Sequence, residues 1–197
     1  GSIDDTSEYL EQVIKDNDNI KYIRIEKNIG YGNGILKGLE TASGEVLAWT
    51  HADMQTDPYD VIKGLELFNK FGSDIFVKGL RYGRSFFDTS FTIGMSFFEA
   101  LTLGRLMWDI NAQPTMFSKK SMETWSNPPH DYSLDLYAYY FAVIEDKSIH
   151  RFNVEFKRRL HGKSHWNTSI RSKVEFIKQV IKYSFSFFFF YSYSVYL

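Results

Sequence analysis

Three runs of apolar and β-branched residues, IKYIRIE (20–26), EVLAWTHA (45–52) and DIFVKGLR (74–81), each follow a helix-patterned stretch. This alternation constrains the fold more than any other feature of the chain. The first helix is expected in DDTSEYLEQVIKD, capped by Asp or Thr, with Tyr9, Leu10, Val13 and Ile14 as its apolar positions. The second is ILKGLETASG, ending at Gly44, and the third is DPYDVIKGLELFNKFG, with Pro58 in its first turn. Strands that alternate with helices return to one sheet through right-handed crossovers. The pattern therefore predicts an α/β fold, a Rossmann-like, mostly parallel sheet flanked by helices. The unbroken apolar run of 45–52 marks a strand covered on both faces.

After Arg81 the pattern changes. SFFDTSFTIGMSFFEALTLG reads as a helix, short of the ~20 uninterrupted apolar residues that a membrane span needs. DINAQPTMFSKK reads as an edge strand or loop, SLDLYAYYFAVIEDKS as an amphipathic helix, and IHRFNVEFKRR as an alternating strand. No internal repeat is visible.

A length of 197 residues suits one domain with a substantial core. The absence of cysteine excludes a disulfide scaffold, a zinc–thiolate site and a cysteine nucleophile, and fits a reducing compartment. The net charge of −1 conceals a split: from Arg151 onward nine Lys/Arg face only Glu155 and Glu175, whereas the residues before carry an excess of eight acids. A basic C-terminal part suits an anionic membrane surface or phosphates, and no nucleic-acid partner is expected. The polar, acidic opening GSIDDTSEYLEQ carries no signal peptide and no initiator Met, so the chain is read as truncated at its N-terminus.

Four constellations carry possible chemistry. In HADMQTDP, His51, Asp53 and Gln55 project to one side if the segment is extended, and they sit where a strand ends, the position at which ligands meet such sheets. Oxygen donors in this pattern suit Mg²⁺ or Mn²⁺ held together with substrate phosphates; a capped helix start would produce the same spacing. In NIGYGNG, Gly30, Gly32 and Gly34 would either let the backbone approach a phosphate or serve a tight turn. In FKRRLHGKSHW, Arg158, Arg159, Lys163 and His165 surround Gly162 and Ser164, either a phosphate grip or a solvated basic turn. In the tail, Arg171, Lys173, Lys178 and Lys182 interleave with Val174, Phe176, Ile177, Val180 and Ile181 ahead of an aromatic run. That is the pattern of a basic amphipathic helix lying in an anionic interface, or of a helix packing on the core.

In order, these segments resemble family-two glycosyltransferases of the A-type fold, and most closely the polyprenyl (dolichyl) phosphate sugar transferases. GSIDDT is similar to the family's DGSTDDT, and NIGYGNGILKGLETASGEVLAWTHADMQTDP to its glycine-rich segment followed by DADLQ.PP. KGLRYG, DINAQPTMFSKK and FKRRLHGKSHW match the G.R, D.TSGF..F.R and F..R..GESK segments. The resemblance implies a catalytic domain over 1–166 without its first strand, and a membrane-associating tail over 167–197. It implies Asp53 as the metal-binding acid, Gln55 and His51 as further ligands of Mn²⁺ or Mg²⁺, and Gly30, Gly34, Arg81, Arg159, Ser164 and His165 around the donor or the acceptor phosphate. Asp109 would lie near the acceptor, as the candidate base should that acceptor be a hydroxyl. Two replacements stand out: His51 takes the place of the first acid of the Asp-x-Asp pair, and His165 that of a lysine.

The function so implied is inverting transfer of a sugar from a nucleotide-diphosphate sugar to a polyprenyl phosphate or glycan, at the cytoplasmic face of a membrane. The alternative is a membrane-bound nucleotide-binding module with a degenerate site.

Overall fold

The structure, a computed structural model, describes residue 2, residues 4–157, residue 159 and residues 170–194. Its elements are helices α1 (Thr6–Lys15), α2 (Tyr31–Thr41), α3 (Asp60–Phe71), α4 (Phe86–Leu103), α5 (Lys119–Glu123), α6 (Leu134–Ile144) and α7 (Ile170–Ser194), with strands β1 (Val46–Trp49), β2 (Ile75–Tyr82), β3 (Thr115–Ser118) and β4 (Ser148–Glu155). The sheet order is β1-β3-β2-β4. β2 pairs with β4 in parallel, whereas β3 runs antiparallel to both β1 and β2. β1, β2 and β4 thus point the same way, and their carboxyl ends lie along one edge. The expected parallel direction holds for three strands, but β3 is inserted between two of them.

The period-two alternation of strand side chains sets the layers. Leu47, Trp49, Phe76 and Phe117 face the cluster built by Leu36 and Leu39 of α2 and the whole of α6. Ile75, Val77 and Met116 face the other way, onto Phe68 of α3. The helices therefore cover both faces of a four-stranded sheet.

Three sequence expectations are corrected. Residues 20–26 form no strand: despite their β-branched composition they meet no ladder partner among the described residues, and Ile20 and Ile23 stay exposed. The segment is tied to α1 instead, with the Tyr22 hydroxyl 2.8 Å from the Ser7 hydroxyl and Arg24 donating to the same oxygen at 3.0 Å. β3 is not an edge strand or loop; all four of its residues are buried between β1 and β2. α6 is not amphipathic, since Leu134 through Ala142 are all buried. Its aspartate and tyrosines, which mimic a polar face in sequence, find partners inside the protein.

α7 packs along α4. The Phe98 and Phe185 rings meet edge-on at 6.3 Å, and the Ser184 hydroxyl donates to Glu99 at 2.8 Å. Both Ser184 and Glu99 are buried. No helix among the described residues is long and apolar enough to cross a membrane. The expected boundary between catalytic domain and tail, at 166–167, lies outside the described residues.

Candidate active site

The chain leaves β1 at Trp49 into a loop, His51 to Asp57, at the carboxyl edge of the sheet. The loop is not the extended segment that the spacing suggested. Met54 adopts φ 60°, and Asp53 Oδ1 accepts the Gln55 backbone N–H at 3.1 Å, so the chain folds back on itself. The Asp53 and Gln55 side chains nonetheless converge, and what they converge on is Arg159. Its guanidinium forms an ion pair with Asp53 Oδ2 and lies 3.4 Å from Gln55 Oε1.

Arg159 is held there by the segment that follows β4. The Lys157 N–H donates to the Gln55 carbonyl at 2.7 Å, and Gln55 Nε2 donates back to the Lys157 carbonyl at 3.1 Å. Phe156 fills the space between, with its ring edge-on to His51 at 5.9 Å and 5.2 Å from the Arg81 guanidinium. Among the described residues, His51 Nε2 is buried without a hydrogen-bond partner. Burial pushes its pKa below the ordinary histidine value; Arg81 and Arg159 act in the same direction, against Asp53 and Asp135. The imidazole is thus neutral near pH 7.

Arg81 stands at the end of β2 and is fixed by Asp109. Its backbone N–H reaches Asp109 Oδ2 at 3.1 Å and its Nε reaches Oδ1 at 3.0 Å, beside a further guanidinium contact. Arg84 adds a second cation, 3.5 Å from the same carboxylate. Arg151 caps the Gly79 carbonyl at 2.6 Å and the Asp109 carbonyl at 3.3 Å. Asp109 itself is fully buried at φ 47°. Burial alone would raise its pKa, but the bonds and charges of Arg81, joined by Arg84, outweigh this and hold it below the ordinary carboxylate range. A carboxylate so held is a poor proton acceptor, and its geometry is that of a group that positions Arg81 rather than of a base.

Gly30 and Gly32 of NIGYGNG face protein on their β-carbon side. A β-carbon on Gly30 would lie 2.3 Å from the His130 carbonyl oxygen, and one on Gly32 2.6 Å from that of Pro129. These residues let the start of α2 press against the 129–131 turn, where the Asn33 N–H donates to the His130 carbonyl at 2.9 Å. Gly34 has no heavy atom near its β-carbon position and is simply exposed. Ser164, His165 and the neighbouring Arg158, Gly162 and Lys163 lie outside the described residues.

A buried polar network that the sequence did not announce stands behind the loop. Asp135, in the first turn of α6, accepts from the Tyr31 hydroxyl at 3.0 Å and from Trp49 Nε1 at 3.3 Å. Lys78, wholly buried in β2, lies 3.7 Å from Asp135 and donates to Thr115 at 2.7 Å. Gln113 donates to the Tyr31 oxygen at 2.5 Å. Burial and the Asp135 charge push the Tyr31 pKa up, so the phenol keeps its proton and serves as donor. The one available signal was a lysine inside the apolar run IFVKGL and an aspartate inside LDLYAYY. Two charges that no surface period explains must meet each other.

The residue types fit a hard divalent cation. Among the described residues no group of three His, Cys, Asp or Glu side chains could hold a metal. Asp53 and Gln55, however, already turn oxygens towards a cation, the guanidinium of Arg159. One carboxylate completed by substrate phosphates is how Mg²⁺ and Mn²⁺ are usually bound.

The glycosyl transferase family 2 profile matches residues 1–146. The chain belongs to this family. No curated protein matches it in sequence. Among solved structures, the fold is similar to glucosyl-3-phosphoglycerate synthase from Mycobacterium tuberculosis. With phosphoglyceric acid bound, that protein superposes with a TM-score of 0.62 at 16% identity, covering 94% of this chain and 65% of the other. With uridine-diphosphate the TM-score is 0.63 at the same identity and coverage. With Mn²⁺, uridine-diphosphate-glucose and phosphoglyceric acid it is 0.61, again at 16% identity, covering 94% and 64%. The chain thus spans just under two thirds of the synthase's length, and at this identity the likeness speaks for the fold.

Proposed function

We propose that this family 2 chain is a metal-dependent inverting glycosyltransferase. It moves a sugar from a nucleotide-diphosphate sugar to an acceptor that carries a phosphate, a polyprenyl phosphate, at the cytoplasmic face of a membrane. The observation that carries the reading is the convergence of Asp53, Gln55 and Arg159 at the carboxyl ends of β1 and β4, the place where α/β sheets bind ligands. The synthase of similar fold has been solved with Mn²⁺ and a uridine-diphosphate sugar, which supports a donor of that class.

Asp53 and Gln55 would hold the cation, Mn²⁺ or Mg²⁺, with His51 beside them. When bound, the metal neutralises the charge that develops on the departing diphosphate. Arg159 supplies a fixed guanidinium at the same place, and a guanidinium grips phosphate oxygens two at a time. Transfer then requires the acceptor oxygen to attack the anomeric carbon from the face opposite the diphosphate, forming one glycosidic bond as the other breaks.

The state of Asp109 favours a phosphate acceptor. A hydroxyl acceptor needs a carboxylate to take its proton, and Asp109 is committed to Arg81 and Arg84. A phosphate oxygen is already anionic and needs no base. Arg81, Arg84, Arg151 and Lys78 outnumber the buried carboxylates Asp109 and Asp135, leaving a surplus of positive charge suited to such an anion.

Membrane attachment is supported by the outer surface of α4 and α7. Phe86, Phe87, Phe97 and Leu101 of α4 are exposed, as are Val174 and Phe185 of α7, together with Arg171, Lys178 and Lys182. Apolar and basic side chains so mixed suit an anionic lipid interface. The second reading, a nucleotide-binding module without turnover, is favoured by His51 standing where a second carboxylate would strengthen the metal seat.

Thermal melts of the chain with Mn²⁺ and UDP-, GDP- or CDP-sugars test the donor site. Stabilisation by one nucleotide, lost without metal and in Asp53→Asn, is the expected result. Equal melts for the native chain and the variant under every condition contradict it.

A further inference from the structure

We infer that Arg159 is an internal counter-cation that occupies the metal seat and leaves it for the donor's diphosphate, so that metal and diphosphate bind as a pair. The inference rests on the reading of Asp53 as a metal ligand and adds to it an order of events.

The geometry leaves little alternative. Asp53 offers two carboxylate oxygens. Oδ1 is taken by the Gln55 backbone N–H at 3.1 Å, and Oδ2 is taken by Arg159. The amide oxygen of Gln55 also faces Arg159, at 3.4 Å. Asp53 Oδ2 and the Gln55 amide oxygen, the pair that a divalent cation could share, both face the guanidinium, and a second cation of charge +2 within ~4 Å of it would be strongly repelled. Metal binding requires Arg159 to move.

Arg159 has a short way to go and something to gain. Among the described residues its buried Nε–H meets no acceptor in its present position. The backbone that carries it is anchored next door by the two Gln55–Lys157 hydrogen bonds and by Phe156 against His51. A side-chain rotation thus suffices, with the strand end staying in place. A diphosphate bridging to the metal brings oxygens to the same spot, and these replace Asp53 as the guanidinium's partner. Metal alone must displace Arg159 without compensation; metal with diphosphate offers it a new anion. The two ligands are coupled through one side chain, and the coupling is reciprocal.

The device predicts opposite signs for one substitution. Mn²⁺ binding to the chain without nucleotide is followed by the loss of the free-ion electron paramagnetic resonance signal. Inorganic pyrophosphate then serves as the diphosphate probe at saturating Mn²⁺. Arg159→Gln is expected to bind Mn²⁺ alone about threefold to tenfold tighter than the native chain, the worth of a partly exposed ion pair. It is expected to bind pyrophosphate more weakly by a similar factor. Arg159→Lys keeps the charge and is expected to leave Mn²⁺ affinity near the native value, with a cooperative melt confirming that either variant is folded.

If Arg159→Gln binds Mn²⁺ no tighter, or both variants change it equally, the exchange is overturned. Asp53→Asn separates the two levels of the argument. Mn²⁺ binding unaffected by that variant sinks the metal-site reading itself, whereas Asp53-dependent binding that ignores Arg159 sinks only the exchange.

Discussion

At the scale of single residues, the chemistry rests on charges buried in pairs. Asp135 is the hub: it accepts from Tyr31 and Trp49 and balances Lys78, which burial pulls down to a pKa of about 8 against the opposing pull of Asp135. Trp49 is the last residue of β1, so this hub fixes the point from which the His51–Asp57 loop departs. Removing one member of a buried pair leaves the other charge uncompensated. Asp135→Asn is therefore expected to lower stability by about 3 kcal/mol at pH 7 in urea unfolding. The deficit should shrink as pH rises towards about 8 and level off beyond it, because without Asp135 the buried ammonium gives up its proton below the native value. A deficit that grows with pH would mean that Lys78 is not the group left stranded.

At the scale of elements, the α4–α7 contact carries a proton. Glu99 is buried with one oxygen on Ser184 and the other without a partner among the described residues, and burial pushes its pKa up to about 7, against the lowering effect of Ser184. Unfolded, the same acid ionises near 4.5, the ordinary glutamate value. Between those values the folded chain holds a proton that the unfolded chain has released. Stability should therefore fall as pH climbs through that window, by about 3 kcal/mol in all, and level off above about 7. Glu99→Gln should abolish this decline and melt higher than the native chain at pH 8, with little difference at pH 4. Parallel pH profiles would place Glu99 in water rather than between the helices.

The same scale shows what the sequence could and could not disclose. Strands β1, β2 and β4 and helices α3 and α4 are legible because each is a local pattern: a period of two or 3.6, a proline near a helix start, a glycine at its end. The placing of the Asp53 loop at a strand end is legible for the same reason. The failures all depend on partners distant in sequence. Residues 20–26 have strand composition without a ladder, β3 is central although it is four residues long, and α6 hides its polar groups in a network with β1 and β2. Gly30 and Gly32 left two readings open, a phosphate approach or a tight turn, because a glycine's purpose depends on what approaches it, here the backbone of 129–131. Arg159 was visible as a basic residue; that it sits on Asp53 was not.

At the scale of the whole molecule, three parallel strand ends bring together groups from across the chain: Asp53 and Gln55 after β1, Arg81 at the end of β2 with Arg84 just beyond it, and Phe156 and Arg159 after β4. The central claim is that this assembly transfers a sugar to an anionic phosphate with a metal at Asp53. The most direct test is product formation in detergent or lipid vesicles, with Mn²⁺, a labelled nucleotide-diphosphate sugar and either a polyprenyl phosphate or the corresponding unphosphorylated polyprenol. Labelled lipid from the phosphate alone, abolished by chelator and lowered at least about a hundredfold in Asp53→Asn, is the predicted result. Equal labelling of the alcohol, or transfer that survives both chelator and the loss of Asp53, would contradict it.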